Sequence, residues 1–142
     1  MSNVYLWQVR DEDVMEASSR LRKILDAWAG KASALTRREF NARIALHGDL
    51  LVGSVSADCG VRGYETWCES ESAVVLFDGI CESILGETPG DAADFMLAAV
   101  RDCPHRLAGL EGRYAAVVVD KAEGRGYAVT GATDASTLWT AE

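Results

Sequence analysis

The chain has 142 residues, 49% of them hydrophobic, with 14 Lys and Arg against 22 Asp and Glu, and so carries a formal net charge of −8. That length suits a single domain, 1–142, whose core needs neither disulfides nor metal, and the acidic balance argues against nucleic acid, whose binding depends on clustered Lys and Arg. No apolar stretch approaches the roughly 20 residues of a membrane helix, and the start Met1-Ser2-Asn3-Val4, soon followed by Asp11-Glu12-Asp13, lacks the pattern of a signal peptide; no membrane association and a cytoplasmic location are expected.

Residues 3–9, Asn-Val-Tyr-Leu-Trp-Gln-Val, are aromatic and β-branched and predict a first strand. From Asp13 onward Val14, Ala17, Leu21, Ile24, Leu25 and Trp28 recur at helical spacing, with Arg20, Arg22 and Lys23 on the other face. The spacing predicts a helix over 13–28, stopped by Gly30, with its apolar face on a sheet. Residues 40–56 alternate loosely around His47-Gly48-Asp49 and predict two antiparallel strands. Ala73-Val74-Val75-Leu76-Phe77 reads as a strand buried on both faces and ended by Asp78-Gly79. Thr88-Pro89-Gly90 introduces a second amphipathic helix from about Asp91, broken near Pro104. Tyr114–Val119, a polar turn over 120–126 and Tyr127–Thr130 form a hairpin. Repeats and low-complexity segments are absent, so the order predicts an α+β domain with two antiparallel sheets in face contact.

The four cysteines, Cys59, Cys68, Cys81 and Cys103, include no C-x-x-C pair, and His47 and His105 are not at ligand spacing. No metal site is expected, and both histidines read as surface or cap residues.

Four segments in order carry a family resemblance: Val74-Val75-Leu76-Phe77-Asp78-Gly79-Ile80, Asp91, Leu110-Glu111-Gly112-Arg113-Tyr114-Ala115-Ala116, and the hairpin from Val117 to Asp134. Together they resemble the class II glutamine amidotransferase domain of asparagine synthetases, β-lactam synthetases and lasso-peptide cyclases. The resemblance implies an N-terminal-nucleophile-like αββα sandwich of two antiparallel sheets between helices, here truncated at its C-terminal end.

It also implies positions for glutamine chemistry. Ser2 stands where the family exposes a nucleophilic cysteine after loss of the initiator Met, and a hydroxyl ionises far less readily than a thiol. Asp78 replaces the Asn that helps form the oxyanion hole, with Gly79 supplying the backbone N–H, and a carboxylate there repels developing negative charge. Asp91 matches the carboxylate that holds the glutamine α-amino group, and equally suits a helix N-terminus. The family's Arg-Gly-Pro-Asp loop has no counterpart in Ala29-Gly30-Lys31-Ala32-Ser33, and its carboxylate-clamping arginine aligns with Val55.

The expected function is therefore a degenerate amidotransferase-like domain of an ATP-dependent amide-forming enzyme, acting as a structural or partner-binding module. No cofactor is expected in this chain, ATP and Mg belonging to the implied synthetase domain. The expected partner is that synthetase domain or polypeptide, or a second copy, with Leu138-Trp139 as the contact strip. The chain is expected to be a fragment, a split piece or a shortened relative. Two alternatives stand beside this reading: an active amidohydrolase using Ser2, and a soluble acidic interaction domain.

Overall fold

A computed structural model describes residues 2–10, 12–57 and 66–131. Among these residues seven strands form two antiparallel sheets. Ser2–Gln8 (β1), Phe40–His47 (β2) and Leu50–Ala57 (β3) make a three-stranded sheet in the order β1-β3-β2. Trp67–Glu69 (β4), Ala73–Cys81 (β5), Gly112–Asp120 (β6) and Arg125–Thr130 (β7) make a four-stranded sheet in the order β4-β5-β6-β7. Two helices, Val14–Thr36 (α1) and Pro89–Arg101 (α2), complete the architecture.

Strand alternation sorts the apolar residues into three layers. Leu50 and Val52 of β3, Val74 and Leu76 of β5, and Val117 and Val119 of β6 fill the space between the sheets, joined by Val4, Leu6 and Ala45. On the other face of the three-stranded sheet, Leu51, Val55, Tyr5 and Trp7 meet Ala17, Leu21, Leu25 and Ala29 of α1. On the other face of the four-stranded sheet, Val75, Phe77, Tyr114, Ala116 and Val118 meet Ala93, Met96 and Leu97 of α2. The layers thus run helix, sheet, sheet, helix, and the α+β class with two facing antiparallel sheets is as expected.

Boundaries differ from the sequence reading for local reasons. Helix α1 starts as expected, with Asp13 Oδ1 accepting the Glu16 N–H at 2.9 Å. It does not stop at Gly30. A single interior glycine costs only about 1 kcal/mol, and the buried Ala29 keeps that turn on the sheet. The helix ends at Thr36, where Arg37 turns left-handed (φ 56°) and its N–H donates to the Ser33 carbonyl at 3.0 Å. Ser33 Oγ then accepts the Phe40 N–H at 2.9 Å, tying the helix end to the start of β2.

Asp78-Gly79 is not the end of β5, a correction to the expected turn. The strand runs through both residues to Cys81, with Asp78 opposite Ala115 and Gly79 opposite Tyr114. Gly79 has φ +92°, and a Cβ there would stand 2.1 Å from the Arg113 carbonyl oxygen, so only glycine keeps this rung of the ladder closed. Helix α2 begins at Pro89, its Thr88 N-cap accepting the Asp91 N–H at 3.2 Å, and a 3-10 turn over Pro104–Gly109 follows it. The three-residue β4 was not foreseen. Leu138-Trp139 and Cys59 lie outside the described residues.

Candidate functional site

The layer between the sheets changes character along its length. On β3 its residues run Leu50, Val52, Ser54, Ser56, and on β5 they run Val74, Leu76, Asp78. One end is therefore aliphatic and the other polar. The register of β1 on β3 sets Val4 opposite Ser54 and Ser2 opposite Ser56, which brings the N-terminal residue of the strand to the polar end.

Three further groups build that end. Ser54 is buried, with 2% exposure. Thr66 Oγ1 donates to Ser56 Oγ at 3.2 Å, and the Thr66 carbonyl accepts the Phe77 N–H at 2.9 Å. Thr66 thus staples one sheet to the other one residue from Asp78. Asp78 is half-buried and engaged in polar contacts of its own. Its charge reaches β1: the Tyr5 phenol is pushed above its ordinary range, first by burial and then by the negative Asp78.

Chemically this end offers hydroxyls and one carboxylate. A carboxylate opposes an oxyanion forming close to it. Among the described residues no group of three or more His, Cys, Asp or Glu is placed to hold a metal. No described helix is long and apolar enough to cross a membrane.

The residues singled out by the resemblance do not all meet. Ser2 in β1 and Asp78 in β5 come to the same end of the sandwich. Asp91 does not join them. It is exposed at the start of α2, the helix packed on the outer face of the four-stranded sheet, and its Oδ2 accepts from Thr88 Oγ1 at 2.6 Å. With the reciprocal bond from its own N–H to Thr88, this is a capping arrangement that accounts for an acid at that position. Val55 packs beneath α1, so the position aligned with the clamping arginine faces away from the inter-sheet layer. Gly79 has the backbone requirement described above.

Sequence reasoning missed Ser54, Ser56 and Thr66. A signal for the first two was present, because the apolar alternation of β3 lapses at those positions while continuing on the other face at Val55. Nothing local marked Thr66, whose role comes from bridging two sheets. Of the histidines, His105 is exposed, whereas His47 closes β2 with its Nε2 buried and without a hydrogen-bond partner. Its pKa is lowered by burial first and then by Lys121, against an opposing effect of Glu69.

Comparison with family models, with curated proteins and with solved structures finds no match to this chain.

Proposed function

We propose that the chain is an N-terminal-nucleophile-like amidotransferase domain that has lost glutamine hydrolysis and serves an asparagine-synthetase-type amide-forming enzyme as a structural and partner-binding module. The observation that carries the loss is the place of Asp78, half-buried at the polar end of the inter-sheet layer, at the position where the resemblance calls for an oxyanion-hole donor. The amidotransferase ancestry is supported by the four sequence segments in order together with the helix, sheet, sheet, helix layering. In this reading ATP and Mg act in the synthetase partner, and this chain supplies surface and stability.

The test has two arms. A coupled ammonia assay with glutamine, on protein shown by mass spectrometry to have lost Met1, is expected to give no turnover. Addition of the chain to a synthetase encoded beside it is expected to raise ATP-dependent amide formation at least tenfold, or an order of magnitude; no change in rate and no co-sedimentation would sink the proposal.

A second reading, an active amidohydrolase using Ser2, is favoured by one observation, the register that brings Ser2 to the polar end beside Ser56. Ammonia release abolished by Ser2→Ala would put this reading first.

A further inference from the structure

The two sheets are unequal, and the inequality leaves a strand-wide step. Strand β1, the edge of the smaller sheet, lies over β5 and β6, so β7 extends beyond it. On β7 the residues turned to α2's side, Tyr127 and Val129, are half-buried and buried, whereas Gly126, Ala128 and Thr130 on the inter-sheet face are exposed. Their ladder partners Val119, Val117 and Ala115 are all buried, so cover stops at β7. Leu6 stands at the inner margin of the step, close enough that a Cβ on Gly126 would meet its Cδ2 at 2.6 Å. A groove lined by Leu6, Gln8, Leu50 and residues 124–127, of about 400 Å³, opens there.

The outer edge of β1 has no ladder partner among the described residues. Natural edge strands are usually guarded by charge, proline or a bulge. The other three edges carry charge: Arg43 in β2, Glu69 in β4 and Arg125 in β7. Ser2–Gln8 has no charged residue and no proline, and its pairing with β3 runs without a bulge. Above the same edge α1 leaves Ile24 and Trp28 45% and 46% exposed, with the Trp28 ring edge-on to Tyr5 of β1 at 5.9 Å.

We propose that this step is an acceptor for one extended strand of a partner polypeptide, which adds to β1 over β7. Backbone groups of β1 provide the ladder. Small residues at 128 and 130 leave room below for β-branched or leucine side chains of the incoming strand, and Ile24 and Trp28 receive those pointing up. The net charge of −8 favours a segment whose neutral centre is flanked by Lys or Arg. A second copy does not fit: with β1 paired to its own copy, each β7 would fall where the other copy already holds β5 and β6. The acceptor stands apart from the amidotransferase reading, since it needs only the edge and the step.

The probe is a fluorescent synthetic peptide, Lys-Val-Thr-Ile-Thr-Val-Lys, titrated with the full chain by anisotropy. Saturable binding is expected, lost when alternate peptide amides are N-methylated and weakened at least tenfold by Ala128→Lys, as suits one charge set against an apolar face. Ile24→Glu, on the other margin, is expected to weaken it as well, and thermal melts confirm that both exposed-site variants fold. Three results would overturn the proposal: no saturable binding up to about 1 mM, binding indifferent to both substitutions, or hydrogen-exchange protection of the outer β1 amides in the isolated chain at any concentration.

Discussion

Gly79 and Gly86 make a matched pair for testing why glycine stands in β5. Both have nearly the same backbone angle, φ +92° and +91°, but a Cβ on Gly86 would meet nothing within 4 Å, whereas one on Gly79 would lie 2.1 Å from the Arg113 carbonyl oxygen. Replacing either by alanine incurs the left-handed penalty of about 1–2 kcal/mol, offset by about 0.4–1 kcal/mol from the stiffer unfolded chain. Gly86→Ala should therefore cost about 1 kcal/mol. Gly79→Ala must also open the β5–β6 ladder at the Gly79–Tyr114 rung and its neighbour Ile80–Arg113. Two strained or lost hydrogen bonds at about 1 kcal/mol each bring its total to about 3 kcal/mol. Urea unfolding of both variants, with slopes matching the parent, measures the difference. Equal losses would show that β5 does not pair through Gly79, and would return that glycine to the turn read from the sequence.

Three other outcomes follow from the geometry. Asp120, fully buried, accepts the Ala122 and Glu123 N–H groups on Oδ1 at 2.9 and 3.0 Å, while Arg101 Nη1 stands 3.2 Å from Oδ2 as an ion pair without hydrogen-bond alignment. Asp120→Ala should cost about 3 kcal/mol and Asp120→Asn, which keeps the turn acceptor, about 1 kcal/mol; equal denaturation midpoints for the two would refute the turn role. Asp13→Ala removes the α1 cap and should cost about 1 kcal/mol in the same assay, with no loss counting against the cap. Burial, then the nearby Cys81, pushes the Tyr114 phenol up to about 12 from 10.0. The unfolded chain releases this proton first, so stability should fall as pH rises from 10 toward 12, by about 1 kcal/mol per unit at most; Tyr114→Phe should flatten that slope, and an unchanged slope would refute the assignment.

Much of the fold was legible because its apolar residues follow strand and helix periods that burial then enforces. The stripe Ala17, Leu21, Leu25 foretold a helix on a sheet, and α1 lies on one. The 40–56 and 114–130 hairpins stand where alternation and turn residues put them, with ends moved by a few residues. The misses were of two kinds. Gly30 and Gly79 look like stops, because a sequence shows a glycine but not whether packing or pairing continues around it. The candidate site was harder still: Ser54 and Ser56 are remote from Asp78 in sequence and come to the same end of the layer only when two sheets stack, with Thr66 bonded to both Ser56 and Phe77. Asp78 itself was visible in the sequence, but its place at the same end of the layer as Ser54 was not.

The division of the layers along the chain bears on how the molecule is made. Residues 2–57 supply α1 and the whole three-stranded sheet, and residues 66–131 supply α2 and the whole four-stranded sheet. Among the described residues no strand crosses from one half to the other, so each half closes its own ladders, pairing Ser2 with Ser56 in the first and Ala73 with Asp120 in the second. During synthesis the first half emerges with one face of its sheet already covered by α1 and the other bare, waiting for the second. Cleavage anywhere between residues 58 and 65 would yield two pieces that meet again through the inter-sheet layer, the Thr66–Ser56 bond and the contacts of Arg43 with Trp67 and Glu69, a natural basis for a split reporter.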